Sequence, residues 1–292
     1  MLRLQYPSAI ALKRYTQRGE KITWEKNMRR LVLALLLLAP ASAFAQEAGS
    51  GPLFMKDMLG DRPFFDPWGI GVDFYTMKQD YKIKELQFEL PGVAIEDFSK
   101  INVRNELQHY DLKFDVWITP FLNAFVLLGR VDADTYVDLS QVPVSGLPVQ
   151  LGTLPVTYNG LVYGAGLNLV YGTDRWFVAL NNTWTDADVN GDFNSSVRSF
   201  TSQPRLGLLW NKWAIWVGGM YLDTQEKHSG SISLPIPGVP LPPVPFRVEL
   251  ESMAAWNYAV GVSHVFSPKA TLSFEYGFGD RDHTLFNFTY RF

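Results

Sequence analysis

From Trp68 onward, apolar and polar residues alternate with period 2 rather than 3.6. That spacing predicts strands with a different environment on each face. The clearest stretch is 107–137. Leu112, Phe114, Val116 and Ile118 share one face, and Asp111, Lys113 and Asp115 the other. Pro120, Phe121, Leu122 and Asn123 form or flank a tight turn. On the return, Phe125, Leu127, Gly129, Val131, Ala133 and Val137 make an apolar face, and Arg130, Asp132 and Asp134 a charged one. Such a hairpin has one wet face and one greasy face.

The pattern recurs along the chain. Leu161, Tyr163, Ala165, Leu167, Leu169 and Tyr171 alternate with Gly160, Gly164, Gly166 and Asn168. Trp176, Val178, Leu180 and Trp184 follow a Gly172-Thr173-Asp174 turn. Trp213 and Trp216 open a segment that is apolar on both faces, so its inside and outside stay unassigned. Expected strands cover 68–78, 107–118, 122–137, 156–171, 175–187, 197–210, 213–227, 250–266, 270–279 and 283–292. Connections near 120, 173, 211 and 268 are short. Those at 138–155, 188–196 and 228–248 are longer and polar or Pro/Gly-rich, and that at 279–282 is short and polar. The run 233–246, SLPIPGVPLPPVPF, reads as a rigid loop tip. Residues 81–106 are ambiguous, and a further hairpin there would raise ten strands to twelve.

Composition sharpens this picture. Charged residues are only 19%, and aromatics reach 14%. The formal net charge is −3, so nothing points to a polyanion partner, and aromatics without a basic groove argue against nucleic acid. There is no cysteine, which excludes disulfides, a thiol nucleophile and a cysteine-ligated metal. His109, His228, His264 and His283 are scattered, which gives a metal site little support. No cofactor is expected.

The long apolar run is Leu31–Ala45. Arg29 and Arg30 precede it, and Ala43-Phe44-Ala45 forms a small-x-small cleavage site, so 28–45 reads as a secretory signal peptide. Residues 1–27 then read as a spurious or extended start, with Met28 as the initiator. Residues 46–66 read as a lead-in with one short helix around 53–59, and 67–292 as the folded domain.

The final strand, LFNFTYRF, carries Phe286, Phe288, Tyr290 and Phe292 at alternating positions. It resembles the C-terminal assembly signal of Gram-negative outer-membrane β-barrels. That resemblance implies an all-β fold, a transmembrane antiparallel up-and-down barrel, porin-like in character. It implies residence in the outer membrane among lipids and lipopolysaccharide, with insertion by the barrel assembly machinery. Trp68, Trp117, Trp176, Trp184, Trp210, Trp213 and Trp256 lie at strand ends or near turns, where interfacial belts belong. A soluble β-sandwich is the competing architecture.

On this reading Asp73, Asp111, Lys113, Asp115, Arg130, Asp132, Asp134, Arg205, Glu275 and Arg291 face the lumen. They line a narrow channel for small solutes, or they pair off and plug a structural or adhesive barrel. Asp280, Asp282 and His283 resemble the Asp and His pairs of omptin-like proteases, and Asp–His pairing could activate a water. A solvated polar turn is the plainer account of those three. Ser263 and His264 are adjacent on one strand, so they face opposite sides and cannot cooperate.

Overall fold

A computed structural model describes residues 49–88, 94–95, 97–140, 144–145, 152–191, 193–232 and 243–292. The expected signal peptide and the segment before it lie outside these, as does most of the proline-rich run. The described chain is all β apart from two single turns of 3-10 helix, η1 (Lys56–Leu59) and η2 (Phe98–Lys100). None of its helices is long and apolar enough to cross a membrane, so any crossing is made by strands.

The strands are β1 (Trp68–Phe88), β2 (Ala94–Ile95), β3 (Asn102–Thr119), β4 (Leu122–Asp138), β5 (Val144–Ser145), β6 (Thr153–Gly172) and β7 (Trp176–Gly191). They continue with β8 (Phe193–Trp210), β9 (Trp213–Ile232), β10 (Val244–Ser252), β11 (Trp256–Ser267), β12 (Ala270–Phe278) and β13 (Arg281–Arg291). All but β2 and β5 belong to one antiparallel sheet. β1 pairs with β3 on one side and with β13 on the other, which closes the ring. β2 and β5 form a small ladder between two connections.

Eleven strands in the ring make ten traverses of the wall. β10 and β11 run in the same direction and both pair with β9, β10 along 225–232 and β11 along 213–221. They are two halves of one strand broken at 253–255. Residues 81–88 continue β1, so the twelve-strand alternative does not form.

The break narrows the barrel. The β12–β13 hairpin turns at 279–280, where Gly279 has φ 122°. Above that turn β1 pairs directly with β10, Tyr81 opposite Ser252 through Phe88 opposite Phe246. The ring has ten strands near the short turns. It has eight near the long connections: β1, β3, β4, β6, β7, β8, β9 and β10. Strand lengths fit two zones. Nine to eleven tilted residues cross a bilayer; β12 has 9 and β13 has 11. β1, β6 and β9 have 20 or 21 and run on past it.

The side chains divide the same way. Around the ten-strand zone the outer face is apolar: Val72, Leu128, Leu161, Leu208 and Val217 all point outward and are more than half exposed. A continuous apolar belt of this size is unfavourable in water. Aromatic rings border it on both sides. Trp68, Tyr171, Trp176, Trp210 and Trp213 lie at the turn end. At the other border Trp184, Phe200, Tyr221 and Trp256 touch in series across four strands, with centroids 5.1, 6.3 and 5.5 Å apart. An even number of strands, an apolar band and two girdles define a membrane-spanning barrel.

Past the second girdle the polarity inverts. The outer face carries ion pairs, Lys78–Glu106, Lys82–Glu251, Lys84–Glu249, Arg130–Asp132 and Arg198–Asp186, at 3.0–3.2 Å. The inner face holds apolar clusters: Val131, Val156, Tyr158, Val162 and Val189 in one, and Tyr81, Ile101, Val103 and Leu250 in the other. This zone is built like a soluble barrel, with water outside and a core within.

The inversion corrects the reading of β4. Phe125, Leu127, Val131 and Ala133 point inward. Arg130, Asp132 and Asp134 therefore lie on the outer face, not in the lumen. Their alternation is that of a wet exterior, not a wet interior. The strands also run longer than expected: β7 reaches Gly191 and β8 starts at Phe193, both inside the expected loop at 188–196, with Val189 buried within the barrel.

Candidate functional site

The lumen encloses a cavity of about 580 Å³ that reaches from Phe65, at the turn end, to Tyr81, Tyr158 and Glu226 in the narrow zone. Seven of the ten charged residues assigned from sequence line it: Asp73, Asp111, Lys113, Asp115, Arg205, Glu275 and Arg291. They fall in separate groups.

The first group crosses five strands. Arg291 Nη2 donates to Asp115 Oδ1 at 2.7 Å, and Asn123 Nδ2 donates to the same oxygen at 2.6 Å. Asn168 then donates to Asn123 at 3.0 Å, and Asn181 to Asn168. Each amide has its oxygen toward one neighbour and its nitrogen toward the other, so the row satisfies itself. These asparagines went unremarked as a set because their neighbours in space are on different strands.

The second group is centred on Glu275. Arg205 Nε stands 2.8 Å from its Oε2, and Trp216 Nε1 donates to the same oxygen at 2.7 Å. The Arg205 guanidinium lies 5.3 Å from the Trp216 ring centroid. Trp216 thus points inward while Trp213 points out, which settles the segment that sequence left open. Its indole occupies the space over Gly261, where a Cβ would stand 2.2 Å from Cε2. The third group pairs Asp73 with Lys113 at 3.3 Å and with the amide of Asn287.

Further out the wall becomes apolar, with Met77, Leu107, Val162 and Leu222. Beyond it lies a polar cluster that sequence reading did not single out. Asn105 Nδ2 donates to Tyr158 Oη at 2.8 Å. His228 Nδ1 lies 2.6 Å from Ser195 Oγ, and its Nε2 lies 3.3 Å from Glu226 Oε2. The shared face of Glu226 and His228, two apart on one strand, was the available signal.

The turn end is covered. Gly49 and Gly51 donate backbone hydrogen bonds to Phe64 and Phe65, while Leu53 and Phe54 donate to the carbonyls of Trp117 and Ile118. The expected helix at 53–59 is the single turn η1. Trp117 is not a girdle residue; it faces the lumen, with Phe64 edge-on at 5.2 Å and Arg291 at 5.8 Å.

Asp280, Asp282 and His283 do not converge. His283 is buried in the interior, 3.6 Å from Glu275, while Asp282 points outward from the next position on β13. Ser263 lines the cavity and His264 faces out against Trp213, 4.2 Å between centroids. Among the described residues no group of His, Asp and Glu could hold a metal.

No protein-family model matches the chain, and no curated protein matches it. Among solved structures it is similar to the transport unit of the autotransporter AIDA-I from Escherichia coli: 11% identity, 82% of this chain and 94% of that one, TM-score 0.39. It is also similar to the COG4313 outer membrane channel from Pseudomonas putida F1: 13% identity, 80% and 98% coverage, TM-score 0.32. A third is the Pseudomonas putida toluene transporter TodX: 10% identity, 84% and 93% coverage, TM-score 0.30.

Proposed function

We propose that this chain resides in the outer membrane of a Gram-negative bacterium and provides a narrow path for small solutes. The carrying observation is the lumenal cavity, which runs past fixed charges of both signs instead of being filled by them. Lipids and lipopolysaccharide would surround the apolar band, and the barrel assembly machinery would insert it. At the turn end the lead-in residue Phe65 lines the cavity, its ring 5.6 Å from the Arg291 guanidinium.

Planar-bilayer recording on the refolded barrel tests this. Small, reproducible conductance steps are expected, and Phe65→Ala should enlarge them. A folded barrel that inserts and stays silent, with and without that substitution, overturns the channel and leaves a plugged structural barrel.

A further inference from the structure

We infer that the lumen holds a binding site for a small organic cation, an amine with an apolar body, centred on Asp111. This rests on the solute path proposed above and names the solute class.

On one side of the wall stand three inward carboxylates, Asp73, Asp111 and Asp115. Asp73 is held by Lys113 and Asn287, and Asp115 by Arg291 and Asn123. Both cations of that sector are thereby committed. Asp111 is left over. It is 8% exposed, and its Oδ1 has no hydrogen-bond partner among the described residues. Its nearest basic atom is His109 Nδ1, 3.8 Å from Oδ2 and beyond hydrogen-bond length. Asp73 sits directly opposite it on β1, a like charge that adds to the deficit.

The backbone makes room for this carboxyl. Asp111 pairs with Gly129 on β4, and a Cβ at Gly129 would stand 2.0 Å from Oδ1. The site is thus cleared for the carboxyl, yet among the described residues no lysine or arginine stands within ion-pair distance of it, the nearest basic atom being His109 Nδ1. A buried carboxylate without a partner is costly, and a cation that enters beside it recovers that cost.

The surroundings specify the rest of the ligand. Asp111 lies where the polar lumen meets the apolar chamber. Leu107, Leu127, Val131 and Val162 rise on the chamber side together with Tyr75, whose ring lies 5.9 Å from that of His109, and Phe125 flanks the charged side, 5.6 Å from Lys113 Nζ. An ammonium group at Asp111 would direct an apolar body away from Lys113 and into that chamber. Mostly apolar walls with few oriented polar groups are the usual form of a small-molecule site.

Isothermal titration of the refolded full barrel with benzylammonium, benzyl alcohol and benzoate tests this, the micelle blank being subtracted. These three have similar shape and differ in charge. Benzylammonium should bind at least tenfold more tightly than either comparator, and Asp111→Asn, confirmed as folded by heat-modifiable mobility, should remove that preference. Equal affinity for all three on the unaltered barrel overturns the site, as does a preference that survives in Asp111→Asn. Should that variant fail to fold, the comparison on the unaltered barrel decides. Amine preference in a barrel that passes no current leaves the site standing and removes the channel. Current without amine preference does the reverse.

Discussion

Arg291 and Asp115 meet at 2.7 Å across an intervening strand. They lie on β13 and β3, which do not pair with each other, and β1 runs between them. The residue of β1 at that level is Gly69, paired with both. A Cβ there would stand 2.4 Å from Asp115 Oδ2 and 3.2 Å from Arg291 Nη1. The missing side chain is the window through which the pair forms, and the pair ties together the two strands that flank the closing strand.

Gly69→Val should therefore break this bridge without touching either charge. Separating a buried pair costs on the order of 3 kcal/mol. The expected result is a lower urea midpoint for loss of the heat-modifiable folded form. Replacing the pair together, Asp115→Asn with Arg291→Met, should cost less than Asp115→Ala alone, which strands the arginine. Equal losses would show that the two charges are not coupled.

Gly261 makes a second window, under Trp216. Gly261→Ala should push the indole off Glu275, at about 1–3 kcal/mol for overpacking. Trp216 should then move into a wetter setting, read as a red shift of emission relative to the unaltered barrel. An unshifted spectrum with unchanged stability would refute the close contact.

The reversal of polarity along β4 can be mapped with single cysteines, since the chain has none of its own. Val126 and Arg130 are two turns of the pleat apart and share the outer face. A membrane-impermeant maleimide applied to whole cells should label Arg130→Cys nearly completely and Val126→Cys hardly at all. Comparable labelling at both would place the membrane border elsewhere, and labelling of neither would return Arg130 to the interior.

The turn η2 offers a pH test outside the membrane zone. The Asp97 carboxylate accepts hydrogen bonds from Ser99 N at 3.0 Å and from Ser99 Oγ at 2.5 Å, and these hold its pKa below the usual aspartate value. The folded pKa is lowered, so the cap contributes fully above the unfolded-state value and is lost as pH falls through the lowered one. Asp97 should titrate at lower pH than an unstructured aspartate, followed by side-chain carboxyl NMR, and Ser99→Ala should move it upward. A normal midpoint in both proteins would remove the cap.

Much of the fold was legible in order along the chain. Period-2 alternation predicts the strands, Gly172-Thr173-Asp174 and the short connection near 268 mark turns, and strand polarity predicts a two-faced wall. Inward placement of Asp111, Lys113 and Asp115 followed from their alternation with Leu112, Phe114 and Val116. The same rule misplaced Arg130, Asp132 and Asp134. Alternation states that two faces differ, and it does not state which face meets water. That depends on height relative to the bilayer, which no residue encodes alone.

What the sequence determined by itself was local: backbone period, turn chemistry and the supply of side chains for a greasy exterior. What only the tertiary structure decided was which distant residues share a level of the ring. Closure places β13 beside β1, and the break at 253–255 lets β10 take the place of the shorter hairpin above. Strand tilt and register then set Asp115 against Arg291 and leave Asp111 without a lysine or arginine partner. Partner and vacancy alike come from cross-strand neighbours, and a neighbour across a barrel wall is fixed by closure rather than by distance along the chain.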